Sequence, residues 1–412
     1  MTSPSRVGIE KITAYPCTMS LDMTALANAR GADPAHPLEE LMVTSRSVNP
    51  PWEDPVTMAV NAANKLLKGE DRDAIEMVVV GTESSVDFGK PISTWVQRYA
   101  GLGAQCRNFE TKHACYGGTG GLMAAAHWVA SGVRPGKKAL VVCTDQSRTH
   151  LGKPWEYVLG AGATAMLVSA QPEVVEFELG HNGYWTQEIS DTYRPTSKHE
   201  VGHADTSLFG YLDALEGSYD AFAERVGATI DYDAYFKKNV YHVPFGGMTF
   251  RAHKAMLRRW KRMKTSEARA HWKQKTLPSL VYNAQFGGTY TSATFIALMG
   301  LIDQSEDLEA GDRISMYSYG SGSCAEFYSL KVGAQARARL AAEQLQARLD
   351  ARHSLSVEAY EEVERRRATY VDNPTFEMSH EGLEAHYERA YAGQGKLVLR
   401  GVDEWERRYE LS

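Results

Sequence analysis

The segment Lys112-His113-Ala114-Cys115-Tyr116-Gly117-Gly118-Thr119 brings a thiol to the point where a strand or loop runs into a Gly- and Ala-rich stretch. A cysteine at a helix amino terminus feels the positive end of the helix dipole, which favours thiolate over a free Cys of pKa about 8.5. A thiolate exchanges with a thioester at little energetic cost, so Cys115 would hold an acyl group in activated form. Backbone N–H groups of the turn would face the thioester oxygen, and Gly117 and Gly118 would let an acyl chain approach closely. A lone cysteine is also often buried and inert. Cys17, Cys106, Cys143 and Cys324 lack this setting and read as structural.

Two further residues would complete such chemistry. Glu83, in Gly81-Thr82-Glu83-Ser84-Ser85, follows directly on the apolar run Glu76 to Gly81. Taking a proton from carbon next to a thioester carbonyl needs a base in a partly dry site, where its pKa rises. The same position also suits an acid capped by nearby N–H groups. His242 precedes the Pro-fixed turn Val243-Pro244-Phe245-Gly246-Gly247, where it would donate to a carbonyl oxygen or carry a proton. A packed, hydrogen-bonded histidine fits that position equally.

The elements that must hold these residues alternate. Glu76 to Gly81, Ala139 to Cys143, Thr164 to Val168 and Arg313 to Tyr319 are continuous apolar or β-branched runs, which predict strands covered on both faces. Helical stretches such as Pro55 to Lys68 and Gly120 to Ser131 lie between them, which predicts a layered α/β fold. The bareness of Thr119 to Val129 suits a helix buried between two sheets. Gln335 to Tyr370 reads as solvated surface helices.

Composition narrows the function classes. With 43% hydrophobic and 23% charged residues, the 412-residue chain reads as folded rather than disordered. A formal net charge of −6 speaks against a nucleic-acid partner. No apolar run approaches the ~18 residues of a membrane span, and Met1 to Glu10 has no apolar signal-peptide core. Five dispersed cysteines without a CxxC pair predict a reduced, cytoplasmic setting with neither a disulfide frame nor a metal site.

In order along the chain, GTESS, ACYGG, HVPF and YSYGSG resemble the signature set of the 3-hydroxy-3-methylglutaryl-CoA synthase family, within the thiolase superfamily. The resemblance implies a thiolase fold, a duplicated αβαβα five-layer sandwich forming one domain of two similar halves. Residues 1–170 would carry Glu83 and Cys115, and 171–412 would carry His242 and Ser321. It also implies a homodimer, no cofactor, and a ping-pong reaction. Cys115 would take an acetyl group and Glu83 would remove a methyl proton. The resulting carbanion equivalent would attack a β-ketone polarised by His242, and water would release the product. Ser321, Ser207, Tyr290 and Gly288 fall on substrate-binding positions. One departure stands out. The family commonly carries Gly-Asn where this chain reads Gly287-Gly288-Thr289-Tyr290-Thr291, so Gly288 supplies no side-chain amide, and Asn283 would replace it only if the loop folded back.

HVPFGGM followed by Ala252-His253-Lys254, and DTSLFGYLDA after Arg194-Pro195, resemble the polyketide β-branching members, whose donor and acceptor substrates ride on the phosphopantetheine of acyl carrier proteins. Residues 251–275 hold ten Lys or Arg against the single acid Glu267, in an otherwise acidic chain. Arg251, Lys254, Arg258 and Arg262 follow helical spacing and would form a docking face for an acidic carrier or its phosphate. A solvated basic helix has the same look, and a CoA phosphate would use the same charges. Alternatives are therefore a mevalonate-route hydroxymethylglutaryl-CoA synthase or a non-catalytic scaffold, which would be expected to have lost Cys115. A ketoacyl synthase would lack Glu83.

Overall fold

Val78 and Val80 face one apolar cluster and Met77 and Val79 another, so the strand Ile75–Gly81 is covered on both sides. The neighbouring strand repeats the division, with Leu140 and Val142 on one face and Val141 on the other. In the computed structural model, which describes residues 6–227, 230–260 and 263–412, these belong to one ten-stranded sheet. Its strands are β1 (Gly8–Pro16), β2 (Ile75–Gly81), β3 (Arg107–Thr111), β4 (Lys138–Gln146), β5 (Ala161–Ser169), β6 (Val175–Phe177), β7 (Gly183–Thr186), β8 (Lys238–Tyr241), β9 (Arg313–Gly320) and β10 (Cys324–Val332). The order is β8-β9-β10-β6-β1-β5-β4-β2-β3, with β7 also beside β10.

Seven helices matter for the layers: α1 (Pro55–Leu66), α2 (Ile92–Tyr99), α3 (Gly117–Ala130), α4 (Ala204–Val226), α5 (Gly246–Trp260), α6 (Thr265–Lys275) and α7 (Ala293–Gln304). α1 and α2 cover the outer face of the β1–β5 half. α3 and α7 lie in the middle, in a core shared with both halves of the sheet. α4 and α5 cover the far face of β9 and β10. The result is the αβαβα sandwich of the thiolase fold, with β6 joining the two halves of the sheet.

The bareness of α3 has a direct cause. A Cβ at Gly118 would lie 2.7 Å from Cys143 Sγ and 2.8 Å from the Thr291 carbonyl oxygen, and one at Gly81 would lie 2.5 Å from Gly118 Cα. Only glycine lets the helix start settle onto the end of β2. A Cβ at Gly117 would likewise lie 3.0 Å from Thr111 O, so both glycines serve close packing. Within 335–370 the charged residues lie largely outward, but Leu340, Leu345, Leu349, Tyr360 and Val363 are buried, so these helices also seal the core.

Candidate active site

β2, β3 and β4 run parallel, with Gly81 level with both Thr111 and Cys143. β8 and β9 are also parallel, with Tyr241 level with Tyr317. Glu83, Cys115, His242 and Ser321 each sit just beyond the carboxyl end of one of these strands, where an open α/β sheet leaves a crevice. All four line one cavity of about 990 Å3, a volume suited to a small-molecule site. Ser207 at the start of α4, Tyr290, Gly288 and Arg251 line it as well.

Cys115 precedes α3, and Ala114 before it has a left-handed φ of 43°, which turns the thiol out of the helix entry. Its Sγ donates to Glu83 Oε2 at 3.5 Å. Ionisation at the helix start is not what the surroundings favour. Burial pushes the thiol well above its ordinary value, and the carboxylates of Glu83 and Asp145 push the same way, against Arg194. The resting group is a neutral thiol. Two of the turn amides are occupied: Tyr116 N–H donates to His113 O and Gly117 N–H to Ala114 O, both at 3.1 Å. They are not free for a thioester oxygen. Gly320 passes so close that a Cβ there would lie 2.3 Å from His113 O, which keeps the Ser321 turn against the cysteine loop.

Burial raises the Glu83 carboxyl to about 8, with Asp145 and Glu200 adding to the rise while Arg194 and the Cys115 contact oppose it. A carboxyl poised there takes and returns protons near neutral pH. Arg194 Nε lies 3.4 Å from Glu83 Oε1, and its Nη1 donates to Glu83 O at 3.0 Å and Ser84 Oγ at 2.9 Å.

His242 is buried, which lowers its imidazole to about 3 and keeps it neutral. Thr294 Oγ1 on α7 lies 3.2 Å from Nδ1. When that hydroxyl donates to Nδ1, Nε2 carries the proton and is the atom that can donate to a carbonyl. Tyr211 Oη on α4 donates to His242 O at 2.8 Å and fixes the backbone.

Gly288 stands in place of a side-chain amide, and no neighbour substitutes for it in the way considered above. Asn283 is buried outside the cavity, where its Nδ2 donates to Ala293 O at 3.0 Å. The basic helix is also narrower than its composition. Arg251 and Arg258 are exposed and Lys254 half-buried on α5, while Arg262 lies outside the described residues. Lys275 turns inward to Asp233 at 2.7 Å, Arg269 covers the Phe250 ring, and Arg259 pairs with Asp220.

Sequence reasoning misses three groups. Asp145, at the end of β4, accepts from Glu83 N–H at 2.9 Å, Thr82 Oγ1 and Thr291 N–H at 3.1 Å each, and Thr291 Oγ1. Its signal was present, because Val141-Val142-Cys143-Thr144-Asp145 repeats the pattern of Val79-Val80-Gly81-Thr82-Glu83. Arg194 carries no local sequence signal beyond the resemblance to the β-branching members. Asp191 accepts from Tyr319 Oη at 2.8 Å and Gly322 N–H at 2.9 Å, and so holds the turn that carries Ser321.

Comparison with known proteins agrees with this arrangement. Residues 3–173 match the model described as hydroxymethylglutaryl-coenzyme A synthase N terminal, and 257–410 the corresponding C-terminal model. The polyketide biosynthesis 3-hydroxy-3-methylglutaryl-ACP synthase PksG of Bacillus subtilis is 39% identical over 367 residues, covering 86% of this chain and 87% of that protein. The hydroxymethylglutaryl-CoA synthase of Enterococcus faecalis is 36% identical, covering 86% of this chain and 90% of its own length. The crystal structure of the curacin biosynthetic pathway HMG synthase superposes with a TM-score of 0.94 at 39% identity, over 99% of this chain and 100% of the other. That enzyme has also been solved in complex with apo, holo and acetyl donor-ACP. The chain belongs to the hydroxymethylglutaryl-CoA synthase family, whose members form carbon–carbon bonds by acyl transfer and condensation.

Proposed function

We propose that this enzyme moves an acetyl or short acyl group from a donor acyl carrier protein to Cys115. It then condenses that group with the β-ketone of an acceptor thioester on a second carrier protein, giving a 3-hydroxy-3-methylglutaryl-type branch in polyketide biosynthesis. The observation that carries the reading is the contact of Cys115 Sγ with Glu83 Oε2, at 3.5 Å, in a cavity shared with His242.

Each step uses a group already in position. As Sγ attacks the donor thioester, its proton passes to the Glu83 carboxylate and then to the departing pantetheine thiol. Glu83 next takes a proton from the acyl carbon beside the thioester carbonyl. The carbon–carbon bond forms to the β-keto carbon while His242 Nε2–H holds the ketone oxygen, and the new alkoxide takes back the proton from Glu83. Water then cleaves the Cys115 thioester.

Carrier-protein donors are supported by the donor-ACP complexes of the curacin enzyme and by the likeness to PksG. Arg251, Lys254 and Arg258 on α5 would receive the acidic carrier, and Arg251 at the cavity would reach the phosphate of the pantetheine arm. The reading includes a cytoplasmic homodimer that needs no cofactor beyond the substrates' phosphopantetheine and binds no nucleic acid. Among the described residues no helix is long and apolar enough to cross a membrane. It also includes two related halves, 1–170 and 171–412, each contributing one central helix, α3 or α7.

The test is donor loading followed by intact mass. Acetyl carrier protein should add one acetyl group, faster than acetyl-CoA does, and Cys115→Ser should leave no stable thioester. Faster loading from acetyl-CoA, with turnover of acetoacetyl-CoA, would transfer the reading to the mevalonate-route synthase.

A further inference from the structure

Between Glu83 and Glu200 the cavity wall holds a guanidinium to which the reaction above gives no part. We infer that Arg194 is a positioning residue for the condensation step. It compensates the Glu83 carboxylate while that group is the base, and Glu200 takes over the cation while Glu83 holds the proton. The inference rests on the reading of Glu83 as the base.

Arg194 is almost fully buried, and its Nη1 is anchored to Glu83 O and Ser84 Oγ, so it moves with the strand end that carries Glu83. Its other two nitrogens face opposite acids. Nε lies 3.4 Å from Glu83 Oε1 and Nη2 lies 3.2 Å from Glu200 Oε2. Neither contact is a well-directed hydrogen bond, so both are ionic and either can strengthen. The guanidinium lies over the Tyr290 ring, 4.6 Å from its centroid, and does not lose its proton in this range. Glu200 also faces His150, whose Nε2 is 3.5 Å away.

The charged and titratable groups acting on Glu83 are Arg194 and Glu200 from the chain between β7 and α4, Asp145 at the end of β4 and Cys115 before α3, while Arg148 and His150 after β4 act on Glu200. Tyr290 lies ahead of α7. Asp145 is already committed to four donors, and among the described residues Arg194 is the cation in contact with Glu83. A buried carboxyl without a nearby cation stays protonated to higher pH, and one relieved of a neighbouring anion ionises at lower pH.

The test is single-turnover condensation by acetylated enzyme with acetoacetyl carrier protein, across neutral to alkaline pH. Arg194→Met should move the acid limb of the rate profile up by about one pH unit or more, and Arg194→Lys should bring part of it back. Glu200→Gln should move the limb down. All three should still gain an acetyl mass on Cys115. Slower condensation with an unmoved limb would overturn the inference, as would a limb that stays put or rises in Glu200→Gln, a variant that answers the question even if Arg194→Met does not fold. Glu83→Gln separates the two claims. Wild-type condensation there removes the base itself, whereas an inactive Glu83→Gln beside unmoved limbs in the other variants removes only the role of Arg194.

Discussion

The backbone N–H of Glu83 donates to Asp145 Oδ1 at 2.9 Å, so two carboxylates on neighbouring parallel strand ends are tied together. Only Glu83 lines the cavity. Burial pushes Asp145 upward as well, yet four donors converge on its two oxygens and leave no place for a proton. We take it as ionised on that ground. Because two of those donors belong to Thr291, the acid also ties the strand end to the segment that carries Gly288 and Tyr290.

Replacing that acid tests the tie. In Asp145→Asn the amide must point N–H groups at one or more of those four donors, which leaves buried polar atoms unpaired. The expected loss is about 1–3 kcal/mol of stability, with slower condensation as Glu83 and Tyr290 lose their common anchor. Thermal unfolding and single-turnover rates measure both. A variant that melts and condenses like the parent would remove Asp145 from the site.

Glu83 makes stability depend on pH in a calculable direction. Its carboxyl titrates at about 8 in the fold against an ordinary value near 4.5, so the folded state holds the proton more tightly. The contribution is fully present below about pH 4.5 and is lost as pH rises towards 8. Glu83→Gln carries no such charge. It should match the parent near about pH 4.5 and exceed it by roughly 4–5 kcal/mol above pH 8. It should still accept an acetyl group, but more slowly, since the Sγ proton then has no carboxylate to take it. Denaturant melts at the two pH values decide it, and equal stabilities at both would show that burial of this carboxylate costs nothing.

The neutral resting thiol gives a third test. Two carboxylates and burial hold Cys115 protonated, so iodoacetamide should label it more slowly at neutral pH than it labels a free cysteine. Above about pH 8, where Glu83 is ionised, removing its charge in Glu83→Gln should speed labelling about tenfold, because the anion that opposes thiolate is gone. Slower labelling in that variant would mean that Glu83 activates the resting thiol.

These tests mark where the sequence is informative. Glu83 is legible because it follows an apolar run that can only be a covered strand, and strand ends are where α/β sheets open. Cys115 and His242 instead follow the polar strands Arg107–Thr111 and Lys238–Tyr241 and are marked only by the motifs ACYGG and HVPF. The charge state of Cys115 is not legible. Its place before a helix predicts thiolate, but burial reverses this, helped by Glu83 and Asp145, which arrive from other strands. Arg194 and Glu200 lie in a stretch whose strands are only two residues long, Thr192–Tyr193 and Val201–Gly202, so no periodicity marks them. The layered fold is legible from four runs and one bare helix, whereas the continuity of the sheet through the three-residue β6 is not.

Charge on α5 should matter for docking and not for chemistry. Lys254→Glu together with Arg258→Glu should raise the KM for acetyl carrier protein about tenfold at low salt and leave a free acetyl-pantetheine donor unchanged. The gap should close at high ionic strength, since both residues reach solvent and their field is screened within about 10 Å. Equal effects on both donors would place these residues in the pantetheine path instead.

Restoring the family's asparagine at Gly288 should fail, for a steric reason. A Cβ there would stand 2.8 Å from Val158 O and 3.2 Å from Pro244 O. The backbone has little freedom to retreat, because Gly288 N–H donates to Val158 O at 2.6 Å and Gly160 N–H donates to Gly288 O at 2.9 Å. Gly288→Asn should therefore lose about 1–3 kcal/mol of stability, as overpacked sites do, without faster condensation. Thermal unfolding and the acceptor KM give the two readings. A stable variant with a lower acceptor KM would mean that the turn yields and that the amide has a place beside His242. A destabilised variant with unchanged acceptor KM would mean that this turn is built for close backbone packing and leaves the ketone oxygen to His242.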